Sequence, residues 1–363
     1  MSIMPSQKII GIDFSDYSIE LLSLARGFGK PKLHAYSRCV LPKGVLFDGV
    51  IQRPDILAEI LKKMMRGANP HSLKSGICCF SLPDSQVFIH EFIMPNSLRG
   101  AALRQAILHE MHEKLPFKPG SMYFDYIVTG RNKAFEQILL FAAPDYVVEK
   151  YITVLLDSGM TTIAIDVESA SIGRSLLDES DRHKITLIAD IGARYANISI
   201  YDNFCIVGAH VFKQGGDVIT QRISDEMKID KNFAEEEKKK KGLEFSYDNL
   251  AVTEIIADSM KEVIRGMKEI VQYYFYRKQK IVENIILTGG TALMPGIQKF
   301  FQSHFWQDIE IRNPLKKLRL GEGDLKNGRK FLFSNVIGLA LRGLHSYPHL
   351  EGVNLLQKGK SIK

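Results

Sequence analysis

The sequence has few cysteines, no long apolar run and none of the common nucleotide or hydrolase loops. Its four cysteines form no Cys-x-x-Cys pair, which argues against a zinc site and favours small buried thiols in a reducing cytoplasm. No window approaches about 18 uninterrupted apolar residues, so we expect neither a membrane span nor a secretory signal. A Gly-x-x-x-x-Gly-Lys-Ser/Thr loop and a Gly-x-Ser-x-Gly elbow are both absent, which excludes a P-loop enzyme and an α/β-hydrolase.

The composition is that of a globular protein with a sizeable core. The chain has 363 residues, of which 45% are hydrophobic and 25% are charged, enough for two to three domains. Its net charge of +7 favours an acidic partner, although solvated lysines also explain any single basic patch. Nucleic-acid binding rests on this charge alone, and we expect none.

The most informative feature is a supersecondary pattern that occurs twice. Each copy reads strand, strand, strand, helix, strand, helix, and each first strand is apolar and ends in an aspartate. The first of these strands is Lys8 to Asp13 and the second is Lys184 to Asp190. Two stretches interrupt the order, an α+β insertion at about 87–162 and a highly charged helical stretch at about 230–258. The pattern predicts a duplicated α/β fold with two lobes.

The paired turns suit a nucleotide. Backbone amides in tight turns make concavities that bind phosphates, and Asp13 and Asp190 would then hold Mg²⁺ through its waters. Thr288 to Ala292 places two glycines between a buried strand and a helix, where backbone can approach a ribose or phosphate. Glycines that only build turns are the alternative at this position.

A pair of charged residues completes the candidate site. Glu237 and Lys240 lie three apart on one helical face and could hold a ribose hydroxyl and an adenine edge. Most such pairs are solvated salt bridges, and that interpretation stays open for this one.

Several short motifs, taken in order, resemble the actin-like ATPase superfamily and, within it, the PilM family of type IV pilus assembly proteins. The superfamily motifs are Gly11-Ile-Asp13, Asp190-Ile-Gly-Ala193, Gly215-Gly216-Asp217, Glu237-x-x-Lys240 and Leu287-Thr-Gly-Gly-Thr-Ala292. The match to the PilM family rests on Leu41-Pro-Lys-Gly44, Leu115-Pro116-Phe117 and Gly338-Leu-Ala-Leu-Arg-Gly343. Together these motifs cover nearly the whole chain.

This resemblance implies an α/β, duplicated actin-like (ribonuclease H-like) ATPase fold of two lobes, with an α+β insertion like that of FtsA. The implied subdomains are 1–86 with 163–182 (1A), 87–162 (1C), 183–220 with 263–345 (2A), 221–262 (2B) and a C-terminal tail, 346–363. The resemblance also implies Mg-ATP in the cleft between the lobes. The metal would be held by Asp13 and Asp190, and the phosphates would be met by Ser15, Asp16, Tyr17, Gly192, Ala193 and Arg194. The nucleoside would be surrounded by Gly215, Gly216, Glu237, Lys240, Gly289, Gly290 and Thr291. No catalytic residue is assigned.

The resemblance further implies a cytoplasmic scaffold, peripheral at the inner membrane. Its partners would be the cytoplasmic N-terminal peptide of PilN, other proteins of the inner-membrane pilus platform and, as a possibility, other copies of itself. A groove beside the insertion is the expected peptide site. An FtsA-like polymerising cell-division protein and a small-molecule kinase of the same fold are the alternatives.

Three positions bear on these expectations. Phe14-Ser15 stands where many relatives have a glycine, and Ala196 where many have a threonine, so we expect ATP binding with slow hydrolysis. Val353-Asn-Leu-Leu356 resembles the Asn-Leu-Leu core of the PilN peptide. It is either a mimic of that peptide or a frayed apolar end, and we favour the frayed end.

Overall fold

The computed structural model describes residues 8–27, 29–114, 121–245, 250–321, 325, 329–345 and 352–356. The chain divides into two compact units. Unit 1 comprises Met1–Ser175, Pro314–Lys326 and Asn335–Lys363. Unit 2 comprises Leu176–Asn313 and Asn327–Ser334. The motif Leu115-Pro116-Phe117 lies outside the described residues.

Unit 1 holds the first ten strands and the helices that cover them. The strands are β1 (Lys8–Phe14), β2 (Ser18–Ala25), β3 (Lys32–Val40), β4 (Leu46–Phe47), β5 (Val50–Ile51), β6 (Gly76–Leu82), β7 (Phe88–Pro95), β8 (Met122–Arg131), β9 (Phe135–Pro144) and β10 (Met160–Val167). The helices are α1 (Pro54–Arg66), α2 (Gly100–Lys114), α3 (Asp145–Asp157) and α4 (Glu168–Leu176). A last helix, numbered α9 (Ser334–Gly343), returns to this unit after unit 2.

The main sheet of unit 1 has the order β10-β6-β1-β2-β3. β1 is antiparallel to β2 and parallel to β6, so the hairpin and the crossover share one strand. β1 and β2 carry side chains that are buried on both faces, as expected of central strands covered by helices. On one face, Leu339 of α9 joins a cluster with Ile9, Cys79 and Ala164.

The inserted part of unit 1 is shorter than the predicted 87–162. A three-stranded sheet, β7-β9-β8, packs with α2 around a core that includes Ile107 and Ile138. The Tyr151 hydroxyl of α3 instead donates a hydrogen bond to Gly49 O at 2.8 Å. β10, from Met160, pairs with β6 of the main sheet. The insertion therefore ends near Pro144, because α3 and β10 carry the chain back to the main sheet.

Unit 2 repeats the strand order of the main sheet, with different helices around it. Its strands are β11 (Ile185–Ile191), β12 (Ala196–Asp202), β13 (Cys205–Phe212), β14 (Asn284–Thr288) and β15 (Asp308–Ile311). Its helices are α5 (Gly216–Met227), α6 (Lys231–Lys241), α7 (Leu250–Lys278) and α8 (Ile297–Gln302). The sheet order β13-β12-β11-β14-β15, with β11 antiparallel to β12 and parallel to β14, matches that of unit 1. The predicted duplication is confirmed.

Helix α7 supplies much of the core of unit 2. Its buried side chains include Ile256, Val263 and Met267, at helical spacing. The helix begins at Leu250, inside the stretch 221–262 predicted as a separate helical subdomain. Within the described parts of the chain, no helix is both long and apolar enough to cross a bilayer.

The predicted subdomain boundaries also change at the C-terminal side. Residues 263–345 were assigned together to the second lobe, but Pro314–Lys326 and everything from Asn335 belong to unit 1. The cause is the packing of α9 on β1 and β6, through Leu339. Sequence order alone gives no sign of this return.

The C-terminal segment is also held inside unit 1. Val353 and Leu355 are fully buried, Asn354 is 1% exposed, and Leu355 N donates to Ile165 O of β10 at 2.9 Å. A segment at a frayed end would leave these side chains in water, so the expectation of a frayed end is wrong.

Candidate functional site

The first part of the candidate site is the turn that follows β11. Gly192 N donates to Tyr195 O at 2.9 Å and closes the turn. The first amides of α5 then face its carbonyls, since Gly216 N donates to Gly192 O at 2.9 Å and Asp217 N to Ala193 O at 2.7 Å. These bonds hold the start of α5 against the turn.

A second glycine segment, after β14, reaches the same place. Thr288 lies beside Asp190 in the parallel register of β11 and β14. Gly289 follows with φ +85°, and a Cβ there would lie 2.6 Å from Ile191 O and against the Asp190 carboxylate. Only glycine fits this position, because both the backbone angle and the space exclude a side chain. The Thr291 hydroxyl completes the contact with a 3.4 Å bond to Gly192 O.

Lys238 of α6 places a buried ammonium group in this region. Its Nζ donates to Gly216 O at 2.9 Å and to Thr220 Oγ1 at 2.8 Å, and lies 2.6 Å from a Glu235 carboxylate oxygen. A Cβ on Gly216 would lie 3.0 Å from the same Nζ, so the missing side chain leaves room for the ammonium. Burial lowers the pKa of Lys238. Burial alone would raise the pKa of Glu235, but hydrogen bonds from Lys238 and Thr220 outweigh it and keep that pKa low.

The role of the predicted pair on α6 toward the nucleoside stays a prediction. Glu237 forms an ion pair with Lys241, and Lys240 is exposed. The residues that sequence reasoning missed are Glu235 and Lys238. One signal could have found them: Ala234, the single small apolar residue in this charged helix, is buried and lies four residues before Lys238 on the same face.

In unit 2 the structure therefore brings together most of the predicted residues. Those that meet around the turn are Asp190, Gly192, Ala193, Gly215, Gly216, Gly289 and Thr291. Gly290 adjoins them as the residue before a short 3-10 helix, Thr291–Leu293. Arg194 lies in the turn, with its guanidinium 5.9 Å from the centre of the Tyr195 ring. The arrangement offers closely approaching backbone and one buried cation, which suits an anionic ligand.

The turn of unit 1 has a different chemistry around its aspartate. Asp13 accepts a 2.8 Å hydrogen bond from the Asn335 side chain, and burial raises its pKa to about 6. Its cross-strand neighbour in the β1–β2 register is Glu20, which is buried. Burial and the charge of Asp13 raise the pKa of Glu20 to about 8, although Arg38 lies 2.6 Å away. Sequence reasoning missed Glu20 and Arg38, whose positions depend on the register of three strands.

Ser15 and Asp16, which are predicted to contact phosphate from unit 1, both accept hydrogen bonds from main-chain amides. Ser15 Oγ accepts from Ser18 N and donates to Ser18 O, each at 3.0 Å, and so closes the turn. The Asp16 carboxylate accepts from Asp48 N at 2.8 Å and Gly49 N at 3.0 Å. Tyr17 is 56% exposed. The role of these three residues toward phosphate stays a prediction.

Direct coordination of a metal ion would need several ligands close together. Within the part of the chain that the structure describes, no three His, Cys, Asp or Glu side chains gather as a cluster. Single carboxylates such as Asp13 and Asp190 fit a Mg²⁺ ion that keeps most of its waters and binds chiefly to phosphate.

Comparison with known proteins gives the family. The sequence model of the family described as type IV pilus assembly protein PilM matches residues 11–344. The cell division protein FtsA of Neisseria meningitidis serogroup B (strain ATCC BAA-335 / MC58) is 26% identical over 216 residues, which are 53% of this chain and 50% of FtsA. FtsA of Bacillus subtilis (strain 168) is 23% identical over 177 residues, 43% of this chain and 40% of that protein. The chain spans half or less of the length of these relatives.

Solved structures give the fold. The PilM-PilN type IV pilus biogenesis complex contains a chain similar to this one at a TM-score of 0.80 and 20% identity, covering 94% of this chain and 100% of that chain. Spiroplasma citri MreB5 bound to AMPPNP is similar at a TM-score of 0.55 and 14% identity, over 93% and 96% of the two chains. The fold is the actin-like ATPase fold, as the sequence predicted.

Proposed function

Because the chain belongs to the type IV pilus assembly protein PilM family, we propose that it is an ATP-binding scaffold of the inner-membrane platform that assembles type IV pili. In this proposal the protein lies on the cytoplasmic side of the membrane and is held there by protein partners. The nucleotide sets its conformation, and a partner peptide binds to unit 1.

The nucleotide part of the proposal rests on unit 2. There the turn after β11, the start of α5 and the segment after β14 lie close together, with Lys238 beside them. We assign the phosphates to the turn of Gly192, Ala193 and Arg194, and the nucleoside to the neighbourhood of Gly216 and Gly290. Lys238 adds a buried ammonium beside Gly216, where it donates to Gly216 O and Thr220 Oγ1 and pairs with Glu235. Glu237 and Lys240 remain a separate prediction.

Mg-ATP, when bound, supplies a triphosphate and a hydrated cation that neutralises part of its charge. Asp190 would orient that cation through water, and Gly289 keeps the approach to the carboxylate open. Buried Ala196 offers no hydroxyl to order a water, so we propose that turnover is below about 1 per second, the low end of typical enzymes. Asp13 is the second candidate carboxylate for the metal ion, and a substitution of Asp13 tests it separately.

Thermal unfolding with and without millimolar Mg-ATP tests the nucleotide site. We expect the nucleotide to raise the melting temperature of the wild-type chain by mass action. Asp190→Ala should abolish the rise, whereas Asp225→Ala, at an exposed position on α5, should keep it. An unchanged melting temperature of the wild-type chain would count against nucleotide binding.

The partner in the proposal is the cytoplasmic N-terminal peptide of a PilN. Two observations support it, the family of the chain and its likeness to the PilM-PilN type IV pilus biogenesis complex. The inserted sheet β7-β9-β8 adds surface to unit 1 without contributing to the nucleotide turns, which makes it a suitable place for a partner.

A polymerising function like that of FtsA is the second candidate, favoured by the similarity to FtsA over half of the chain. Right-angle light scattering on adding Mg-ATP distinguishes the two. A scaffold gives no rise in scattering, whereas filaments give a large and nucleotide-dependent one.

A further inference from the structure

One end of the main sheet of unit 1 carries a row of exposed basic side chains. Lys8 begins β1, Arg26 directly follows β2, and Lys32 begins β3. Because β2 is antiparallel to both of its neighbours, these three residues lie at the same end of the sheet. Lys30 lies in the connection between β2 and β3. These four residues are all exposed and, with exposed Arg319, they form the basic patch.

The register of the strands holds the patch together. Lys8 and Lys32 both lie opposite Ala25, one on each side of β2. Since neighbouring strands are about 4.8 Å apart, the backbones of the two lysines are about 10 Å apart, and their side chains share one face of the sheet. Arg319 extends the row beyond β3, because it lies opposite Lys32 in a parallel bridge and its N–H donates to Pro31 O at 2.8 Å.

Two histidines beside the row report the same positive surroundings. The rings of His34 and His71 stack with their centres 4.7 Å apart. Burial lowers the pKa of His34, and the charges of Lys8, His71 and Lys32 lower it further. The charges that act most on this pKa are therefore all positive.

No acid neutralises the basic patch. Within the part of the chain that the structure describes, none of its five residues forms an ion pair. The Arg26 guanidinium donates to Leu344 O at 2.6 Å, a neutral acceptor that leaves its charge in place. Exposed cations elsewhere do have acidic partners, as when Arg182 pairs with Glu179 at 2.8 Å. Grouped cations repel one another, so a surface that supplies the missing negative charge gains binding free energy.

We infer that the basic patch is a docking surface for an anionic bilayer. The row from β1 to Arg319 crosses three strand spacings, about 15 Å, so a flat layer of acidic headgroups can contact several of its members at once. Each lysine or arginine near such a surface adds to the attraction. The inference goes beyond the proposed function, in which protein partners alone hold the chain at the membrane, and it depends on neither nucleotide nor peptide binding.

One exposed leucine favours a bilayer over a nucleic acid. Leu320 directly follows Arg319 and is 40% exposed. A bilayer accepts such a side chain below its headgroups, whereas a nucleic-acid backbone does not. Sites for single-stranded nucleic acid add aromatic side chains on which bases stack, and no Phe, Tyr or Trp is exposed among the described residues of 25–34 and 314–321.

The test is co-sedimentation of the full chain with vesicles, in the absence of nucleotide and peptide. We expect binding to vesicles of phosphatidylglycerol and phosphatidylcholine in equal parts, and none to vesicles of phosphatidylcholine alone. Raising the salt from about 0.1 M to about 1 M shortens the screening length from about 10 Å to about 3 Å and should abolish the binding. Failure to bind the anionic vesicles at low salt, or equal binding to both kinds, would overturn the inference.

A pair of double variants tests the patch itself. Lys8→Gln with Lys32→Gln should weaken binding to the anionic vesicles about 25-fold, at about fivefold for each basic residue. Lys231→Gln with Lys299→Gln removes the same charge from exposed positions of unit 2 and should bind within about twofold of wild type. Since all four positions are exposed, both variants should melt as the wild type does. Equal losses in the two would mean that net charge alone drives binding, and the inference would be wrong.

Two further measurements separate a bilayer from a nucleic acid. Leu320→Ser should weaken binding to the anionic vesicles at least about twofold, because less apolar surface enters the bilayer. Duplex DNA, added at the same concentration of negative charge as the lipid, should leave the chain on the vesicles. If the DNA displaces it, the basic patch is a nucleic-acid site and the inference is wrong.

Discussion

The two copies of the main sheet have the same strand order but surround their aspartates with different chemistry. In unit 2, the cross-strand neighbour of Asp190 is Asn197, and the strand β14 beside it runs into Gly289 and Gly290. In unit 1, the neighbour of Asp13 is a second acid, Glu20. β6 there runs into Pro83 and Asp84, so the glycine pair has no counterpart.

The two copies therefore share one backbone arrangement, while the side chains around their aspartates differ in chemistry. The unit 2 turn combines closely approaching backbone with a buried lysine, which favours an anion. The unit 1 turn holds two carboxyl groups and one arginine, Arg38, and two carboxyl groups side by side resist ionising together. We therefore expect substitutions in unit 2 to act on nucleotide binding and those at Glu20 to act on pH dependence.

The largest effect is expected at Gly289. Gly289→Ala forces a side chain onto a left-handed backbone and against Asp190, which should cost about 3 kcal/mol of unfolding free energy and abolish the Mg-ATP melting shift. Gly290→Ala is the matched control, because φ there is −63° and a Cβ would lie 3.9 Å from Leu332 Cδ2. It should stay within about 0.5 kcal/mol of wild type in urea unfolding. Equal losses in the two variants would contradict the role given to Gly289.

A smaller effect is expected at Lys238. Lys238→Met removes the buried partner of Glu235, which keeps exposed Lys239 and the Thr220 hydroxyl, and should cost about 2 kcal/mol, less than a fully buried pair because Glu235 is one-third exposed. Nucleotide titration should show binding at least about tenfold weaker, since the ammonium that fixes Gly216 O is lost. Lys231→Met, at an exposed lysine at the start of α6, should leave both quantities unchanged. If Lys231→Met weakens nucleotide binding as much as Lys238→Met does, the role given to Lys238 is wrong.

The smallest effect concerns the acid pair of unit 1. Folded Glu20 holds its proton up to about pH 8, whereas the carboxyl of an unfolded chain releases it near 4.5. The folded state therefore binds more protons in this window, and unfolding free energy falls as pH rises from 5 to 8, by at least about 1 kcal/mol. Glu20→Gln should flatten that slope in urea unfolding, and exposed Glu113→Gln should keep it. Parallel slopes for wild type and Glu20→Gln would show that Glu20 does not titrate in this pH range.

The sequence predicted the elements that depend on local pattern. β6 and β14 are such elements, because each is an apolar run between turn residues. The repeated Asp at a strand end predicted the duplication, and the glycine pair after β14 predicted a close backbone approach. Each of these is visible within a short window.

What the sequence could not predict depends on pairing over long distances. Helix α6 contains three glutamates followed by four lysines, so several pairs with the spacing of Glu235 and Lys238 compete, and only packing against α5 selects one. Glu20 becomes the neighbour of Asp13 through strand register. The burial of Asn354 requires β8, β10 and α9 to be in place together.

The return of α9 to unit 1 has a consequence for synthesis on the ribosome. Unit 1 is interrupted by most of unit 2, so β1 and β6 emerge long before Leu339, which packs against Ile9 and Cys79. At about 5–20 residues per second, translation from Cys79 to Leu339 takes roughly 10–50 seconds. During that interval the apolar face under α9 and the outer edge of β10 are both uncovered. This apolar face is therefore buried only after α9 has been synthesised.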